Sequence, residues 1–192
     1  RRLGTVSRLT AIGAPLGIAI RPVPRVGDDG MDISSTAIRR LIREGRPDEA
    51  AVLLGHRFQV EGVVERGAQI GRKIGFPTAN VVPPVDQVAL PDGIYATFAT
   101  VVGEEIARPA MTYIGTRPAL NTGRRLIETH VFDFGGDLYG RTLATAFVRH
   151  LRADATFGSV DELVAQLRRD EAMARKVLNE IGAPTATVGG CR

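Results

Sequence analysis

The sequence predicts an α+β protein: an α/β segment, then an antiparallel β-barrel or sandwich, then one long helix. Three features indicate this class. Residues 1–55 contain helical patterns that end at glycine, residues 56–151 contain short runs of β-branched and aromatic residues, and residues 159–182 form an amphipathic stretch. With 192 residues and a hydrophobic content of 44%, the chain is able to bury a sizeable core in one or two domains.

The N-terminal segment predicts helices whose ends are marked by glycine. One helix ends at Gly17, and a second, which begins with polar capping side chains, ends at Gly45. Pro47 suits the first turn of a third helix, which ends at Gly55. We therefore assign residues 1–55 to an α/β segment and place a domain boundary after it.

The middle of the chain predicts β-strands. Runs such as HRFQVEGVVERG, GIYATFATVV and TLATAFVRHL are rich in β-branched and aromatic residues. Turn-forming triplets, for example PDG at 91–93 and NTG at 121–123, separate them. Many short strands with such turns favour an antiparallel barrel or sandwich.

The C-terminal stretch predicts one long helix. Ser159 and Glu162 form a capping box at its start. Apolar residues recur at helical spacing along it and predict the buried face. They are Leu163, Leu167, Met173, Val177 and Leu178. Residues 183–192 are expected to form a flexible tail.

Charge and cysteine content narrow the classes of partner. The formal charge is +4, but the arginines are spread along the chain, and aromatic residues, at 5%, do not alternate with a basic run as a base-stacking surface requires. We therefore expect no nucleic-acid partner. The one cysteine, Cys191, excludes an internal disulfide and a cysteine-rich zinc site, which fits a reducing cytoplasm. No secretory signal or membrane span is expected.

The stretch GRKIGFPTAN, residues 71–80, is a candidate phosphate and metal site. If a strand begins here, Thr78 and Asn80 share a face, and their side-chain oxygens suit a Mg2+ ion that also holds substrate phosphates. The basic pair and the free amides of the glycine-rich arm would surround the phosphate charge. The alternative interpretation is a β-turn with a local role only. The candidate residues are Gly71, Arg72, Lys73, Gly75, Thr78 and Asn80.

Glu128 is a candidate general base. It lies in RRLIETHVFDF, a predicted strand, with Leu126 and His130 on its own face. A carboxylate placed there would be able to take a proton from a substrate hydroxyl. The alternative is an exposed strand glutamate paired with Arg124 or Arg125. His130 is a weaker candidate, because a lone histidine on a strand more often has a structural role.

The stretch ISSTAIR, residues 33–39, is a candidate anion site. Hydroxyl side chains at a helix N-terminus, followed by an arginine one turn later, would present amides, hydroxyls and a guanidinium to an anion. A well-capped helix explains the same residues. The four candidates are Ser34, Ser35, Thr36 and Arg39.

Taken in order, these stretches resemble the bacterial bifunctional riboflavin kinase/FMN adenylyltransferase family, also called FAD synthetase. GRKIGFPTAN is similar to the family's flavokinase signature with its PTAN motif. The resemblance covers residues 1 to about 178 and is densest from His56 onward. The further stretches that carry it are LPDGIYA, IGTRP, IETHVFDFGGDLYG and FVRHLRADATFGSVDELVAQLRRD.

For the kinase part, the resemblance implies a six-stranded antiparallel barrel with a long C-terminal helix over residues 56–182. It implies Mg2+-dependent transfer of the ATP γ-phosphoryl group to riboflavin, which gives FMN and ADP. Thr78 and Asn80 would hold the metal and the nucleotide phosphates, and Glu128 would be the base for the riboflavin 5'-hydroxyl. The arm 71–75 would act as a flap over the nucleotide.

The resemblance also implies flavin contacts from the segment that enters the last helix. Arg152 and Phe157 match that segment.

For residues 1–55, the resemblance implies the last third of a truncated nucleotidyltransferase module, because ISSTAIR is similar to its ISSTxxR motif. The three histidines, His56, His130 and His150, form no HxGH-type motif, so we do not expect adenylyl transfer from this chain alone. A longer bifunctional protein would also convert FMN to FAD. The chain departs from many relatives at Pro118, Ala119 and Leu120.

Two other functions stay open at this point. A barrel that kept this fold would be able to bind flavin or nucleotide without catalysis. A basic nucleic-acid-binding module would show a steep salt dependence of binding.

Overall fold

A computed structural model describes most of the chain, in the ranges 5–22, 27–28, 31–84, 87–116 and 125–182. The chain divides into two compact units at Ser34/Ser35. Several features of the sequence analysis lie outside the described residues: the turn at 121–123, the departure at 118–120, Arg124, Cys191 and the tail at 183–192. The predicted domain boundary after residue 55 stays a prediction.

The first unit contains a short helix and a small hairpin. Helix α1 (Val6–Gly13) begins at Thr5, whose hydroxyl accepts a hydrogen bond from the Arg8 amide at 3.3 Å. A 3-10 turn follows and ends at Gly17, whose φ of 69° is the left-handed conformation that favours glycine. The helical stretch thus ends at Gly17 as predicted, but α1 itself ends at Gly13 and the last turn is 3-10. Strands β1 (Gly27–Asp28) and β2 (Met31–Asp32) form an antiparallel pair that the sequence analysis did not predict.

The second unit begins with two helices at the predicted places. Helix α2 (Ser35–Arg43) and helix α3 (Pro47–Leu54) pack against each other. Gly55 follows α3 with φ 73°, and its amide bonds to the Ala51 carbonyl, as expected for a glycine that ends a helix.

The strands of the second unit close into an antiparallel barrel. Its six strands pair in the order β3-β4-β7-β6-β5-β8. This confirms the barrel and excludes the sandwich that the sequence left open. The strands are β3 (Gln59–Glu65), β4 (Ala79–Val82), β5 (Gly93–Val101), β6 (Ala107–Thr116), β7 (Arg125–Val131) and β8 (Thr142–Ala153).

The barrel interior is filled by side chains that alternate with outward-facing ones. Four buried threonines, Thr97, Thr112, Thr129 and Thr145, form a chain of hydroxyl contacts at 2.9, 3.0 and 3.4 Å. Each buried hydroxyl thus has a partner, as a dry interior requires. Because side chains alternate along a strand, the residues next to each threonine in its own strand face outward.

The last helix, α5 (Val160–Ile181), covers part of the outer face of the barrel. Ala174, Val177 and Leu178 pack in one cluster with barrel residues that include Phe98 and Met111. None of the helices that the structure describes has both the length and the apolar content needed to cross a membrane.

Two details of α5 differ from prediction. Met173, expected on the buried face, is 51% exposed, because Asp170 and Ala174 occupy the positions that face the barrel. Ser159 caps the Glu162 amide at 3.2 Å, but the Glu162 carboxylate accepts from the Gly158 amide at 2.9 Å. The return bond of the capping box thus reaches one residue further than predicted.

Candidate active site

A row of cross-strand partners on the outer face of the barrel brings two predicted site residues together. Asn80 on β4 is the register partner of Glu128 on β7, and Glu128 is also the partner of Tyr113 on β6. The adjacent Thr129 and Thr112 point inward, so this row points outward. Directly opposed side chains lie on the same face with Cβ atoms about 5 Å apart. Asn80 and Glu128 are therefore neighbours.

Tyr113 gives Glu128 an aromatic neighbour that no sequence motif marks. Its hydroxyl donates to the Asp154 carboxylate at 3.1 Å. Gly115 makes room for the ring, since a Cβ there would overlap it. Burial raises the pKa of Tyr113 to about 12, and the hydrogen bond to Asp154 and the negative charge of Glu128 act in the same direction. Tyr113 is therefore a neutral donor at physiological pH.

The arm that leads to β4 is a compact turn rather than a loose loop. It contains a single helical turn, α4 (Ile70–Lys73). A Cβ at Gly71 would overlap the Phe76 carbonyl, and Gly75 has φ 87°, so both positions favour glycine. The amides of Ile74, Gly75 and Phe76 all donate to carbonyls within the turn. These three amides are thus used locally, and phosphate binding by the other amides and the side chains of the arm stays a prediction.

Thr78 and Asn80 are held in different ways. Strand β4 begins at Ala79, so Asn80 lies in the ladder and Thr78 precedes it. The Asn80 amide lies against Gly67, where a Cβ would overlap it. Thr78 instead lines a cavity. The sequence expectation placed both in one strand; the structure places only Asn80 there.

That cavity, of about 640 Å³, lies between the arm and the loop after β7. Its walls combine cationic, aromatic and small side chains, which suits an aromatic base with an anionic group. Its lining residues include Arg66, Gln69, Arg72, Thr78, Thr129, Phe134, Gly136 and Tyr139. Lys73 follows Arg72 and is exposed.

Contacts across the mouth of the cavity join the arm to the loop. The Gln69 amide donates to the Tyr139 hydroxyl at 3.1 Å, and the Arg66 guanidinium lies 5.0 Å from the centre of the Tyr139 ring. Gln69 has φ 54°, a costly conformation for a residue other than glycine. Tyr139 lies within the stretch IETHVFDFGGDLYG, but neither it nor Arg66 or Gln69 was predicted as a site residue. No local sequence pattern indicates that these three side chains come together.

Arg152 and Phe157, the two flavin contacts predicted from the sequence, lie close to each other and to α5. Arg152 is the register partner of Ile94, which is the partner of Tyr113, so the outer row extends from Asn80 to β8. Its guanidinium makes bonds of 2.8–3.1 Å to Asp170, a residue only 3% exposed, and lies 5.7 Å from the centre of the Phe157 ring. Most of its donors are thus occupied, while the flat faces of the guanidinium and ring lie together.

The predicted anion-site residues lie elsewhere in the fold. Ser35, Thr36 and Arg39 are on α2, which packs against α3. Ser34 immediately precedes α2. An anion site at these four residues stays a prediction.

Comparison with known proteins identifies relatives along nearly the whole chain. The family described as Flavokinase, riboflavin kinase, matches residues 54–178. A bifunctional riboflavin kinase/FMN adenylyltransferase from Escherichia coli strain K12 is 39% identical over 175 residues, which are 91% of this chain and 55% of the relative. A bifunctional riboflavin kinase/FMN adenylyltransferase from Pseudomonas fluorescens is 33% identical over 186 residues, which are 96% of this chain and 58% of the relative. The chain thus spans little more than half the length of these relatives.

A solved structure shares the fold. It is described as a macrolide-efflux protein from Streptococcus pneumoniae and superposes with a TM-score of 0.71 at 37% identity. The match covers 80% of this chain and 50% of that protein. The efflux description belongs to that protein, and the fold is what the two share.

Proposed function

We propose, for a chain that belongs to the riboflavin kinase family, that it phosphorylates riboflavin with ATP. The riboflavin 5'-hydroxyl oxygen bonds to the γ-phosphorus, the bond between that phosphorus and the β-γ bridging oxygen breaks, and FMN and ADP leave. Reactions of this kind depend mainly on positioning and on stabilising the charge of the phosphoryl group.

The observation that carries the proposal is the register pairing of Asn80 with Glu128. It places an amide oxygen and a carboxylate on one outward face. The cavity that Thr78 and Arg72 line is also lined by Ala79 and Thr129, the chain neighbours of Asn80 and Glu128. A site that binds phosphates next to a base is what phosphoryl transfer to an alcohol requires. Had Glu128 pointed into the barrel or lain on a distant strand, this assignment would have failed.

The side chains present fit a Mg2+ ion that is shared with a nucleotide. In the part of the chain that the structure describes, no three His, Cys, Asp or Glu residues cluster as a protein-only metal site. Thr78 and Asn80 offer a hydroxyl and an amide oxygen, hard ligands that leave room for water and phosphate oxygens. They would hold the ion, which when bound neutralises charge on the phosphates.

The remaining roles belong to the chain's own side chains. Glu128 orients the 5'-hydroxyl and accepts its proton, a role that contributes about 10²–10⁴-fold in comparable enzymes. Arg66 and Arg72 face the cavity and attract the triphosphate. The contacts of Tyr139 with Gln69 and Arg66 narrow the cavity mouth, which would limit the access of water, a competing acceptor of the phosphoryl group.

The proposed flavin contacts follow from the hydrogen bonds that the Arg152 guanidinium already makes. Because Asp170 and the Ala153 carbonyl occupy its donors, Arg152 offers a planar face rather than hydrogen bonds. With Phe157 it would stack on the isoalloxazine ring. Asp170, which the sequence analysis did not single out, holds Arg152 in that orientation.

The direct test is to incubate the protein with riboflavin, ATP and Mg2+ and to detect flavin nucleotides by mass spectrometry. We expect FMN, with formation that requires all three components, and no FAD. ATP binding without FMN would instead favour a non-catalytic binding barrel. Tight, steeply salt-dependent binding to single-stranded DNA, with no FMN, would favour the nucleic-acid alternative.

A further inference from the structure

We propose that His130 is a positioning residue for the nucleotide site: its imidazole holds the Pro77 carbonyl and thereby fixes the Thr78 side chain at the cavity. This inference rests on the proposed riboflavin kinase function and assigns a role to a residue that the sequence left as structural. Three features carry it: the register of β4 and β7, the enclosure of the imidazole, and the conformation of the arm.

The register shows why Thr78 needs support. The pairing of β4 with β7 runs from Val81↔Ile127 through Asn80↔Glu128 to Ala79↔Thr129 and stops there. One further step would place Thr78 opposite His130. At that step His130 Nδ1 lies 2.7 Å from the Pro77 carbonyl oxygen. A side-chain bond thus continues the ladder where the backbone pairing ends.

The chemistry of the acceptor fixes the direction of this bond. A carbonyl oxygen only accepts, so His130 Nδ1 must carry the hydrogen. The donor is therefore the same in the neutral Nδ1–H tautomer and in the protonated ring. A phenylalanine at this position would keep a planar ring, although a larger one, and would lose the Nδ1 donor.

The imidazole is enclosed and cannot itself reach a substrate. His130 is 9% exposed, and its ring meets the rings of Phe76 and Phe132 at centre distances of 5.4 and 5.7 Å, both near edge-on. Such enclosure fixes the ring orientation, and the low local dielectric strengthens the hydrogen bond. The group is therefore suited to holding a neighbour rather than to acting on a bound molecule.

The arm offers little other support at Pro77. Proline has no amide hydrogen, and Pro77 is exposed, so neither a backbone donor nor packing of its ring fixes it. Phe76 before it is anchored by its amide, which bonds to the Gly71 carbonyl at 2.8 Å. Between that anchor and the ladder pair at Ala79, the His130 bond is the contact that determines where Thr78 lies.

The test compares His130→Phe with His130→Asn and measures ATP binding by calorimetry, with and without Mg2+. Loss of the donor in His130→Phe should weaken Mg2+-dependent ATP binding about tenfold, while the riboflavin KM changes by less than about twofold. Binding should largely recover in His130→Asn, because the asparagine Nδ2 is able to donate from nearly the same place. If His130→Phe does not fold, His130→Met takes its place, since a flexible side chain fills the same space without a donor.

Phe132→Leu is the matched control, because it disturbs the same ring cluster and leaves the hydrogen bond intact. It should lower the Tm and change ATP binding by less than about twofold. The proposal is overturned if His130→Phe binds ATP like the wild type, if His130→Asn shows no recovery, or if Phe132→Leu weakens binding as much as His130→Phe.

Failure of the proposed function would look different. A wild type that binds ATP but forms no FMN would refute kinase activity, while the His130 comparison, which reads binding and not turnover, would still decide this inference. A wild type that binds no ATP would overturn both.

Discussion

The two halves of the candidate site are fixed by different means. Asn80 and Glu128 lie in adjacent strands of a closed barrel, where pairing on both sides sets their positions. Arg72 and Thr78 lie in the arm before β4, which a few specific contacts hold against the barrel. We call these the ladder half and the arm half of the site.

Because the two halves are held differently, we expect substitutions in them to affect different steps, catalysis in the ladder half and nucleotide binding in the arm half. A substitution in the ladder half changes a functional group and leaves the surrounding pairing intact, so its effect should fall mainly on kcat. A substitution in the arm half moves groups that contact the nucleotide and should fall mainly on affinity. The arm half is held by only a few contacts, so it is able to move when nucleotide enters, since few bonds must break.

The largest expected effect is that of Glu128→Gln in the ladder half. The amide keeps the size and strand position of the side chain but cannot accept the substrate proton. The kcat for FMN formation should fall by about 10²–10⁴-fold, with ATP affinity nearly unchanged. Steady-state kinetics and calorimetry on the same preparation measure the two quantities.

Glu65→Gln provides the control for Glu128→Gln. Glu65 is the partner of Asn80 on its other side, in β3, and is exposed. Its substitution removes the same charge from the same row, so kcat should stay within about twofold of wild type. Equal losses in the two variants would show that the row contributes only general negative charge and would remove Glu128 from its role.

A smaller effect is expected from Gly71→Ala in the arm half. In an ordinary helix this change is stabilising, by about 1 kcal/mol. Here the added Cβ would overlap the Phe76 carbonyl, so the turn must open. ATP affinity should fall about tenfold and kcat should change less.

Gly158→Ala is the matched control for Gly71→Ala. A Cβ at Gly158 would meet only the end of the flexible Glu162 side chain, at 3.4 Å. ATP affinity should therefore stay at the wild-type value. An unchanged affinity in Gly71→Ala as well would mean that the compact turn is not needed for nucleotide binding.

The same division explains what the sequence allowed us to predict. The strands and the ends of helices at Gly17 and Gly55 follow from local patterns, because side-chain alternation and left-handed glycines are local properties. The meeting of Asn80 with Glu128 depends on the register of strands far apart in the chain, which no local pattern sets. It became an expectation only through the family resemblance.

Contacts between irregular segments were the least predictable. Tyr139 and Gln69 meet because the arm and the loop after β7 fold against each other, and neither segment has a regular period. The burial of Met173 on α5 was predicted wrongly for a related reason. Helical spacing identifies a row of apolar residues on one face, but which of them are buried depends on where the barrel surface ends. There Asp170 faces the barrel because Arg152 is present to pair with it.

The smallest effect is expected from Tyr139→Phe, which removes one hydroxyl from the mouth of the cavity. The Arg66 contact with the ring remains, while Gln69 loses its partner and keeps its costly φ of 54°. ATP affinity should fall about threefold, with kcat and Tm nearly unchanged, because the bond is exposed and a single exposed hydrogen bond contributes only about 0.5–1 kcal/mol. Tyr139→Leu, which removes the ring contact too, should weaken binding further. If both variants bind ATP like the wild type, the contacts at the mouth do not hold the arm. The arm half would then depend on the hydrogen bond from His130 to the Pro77 carbonyl.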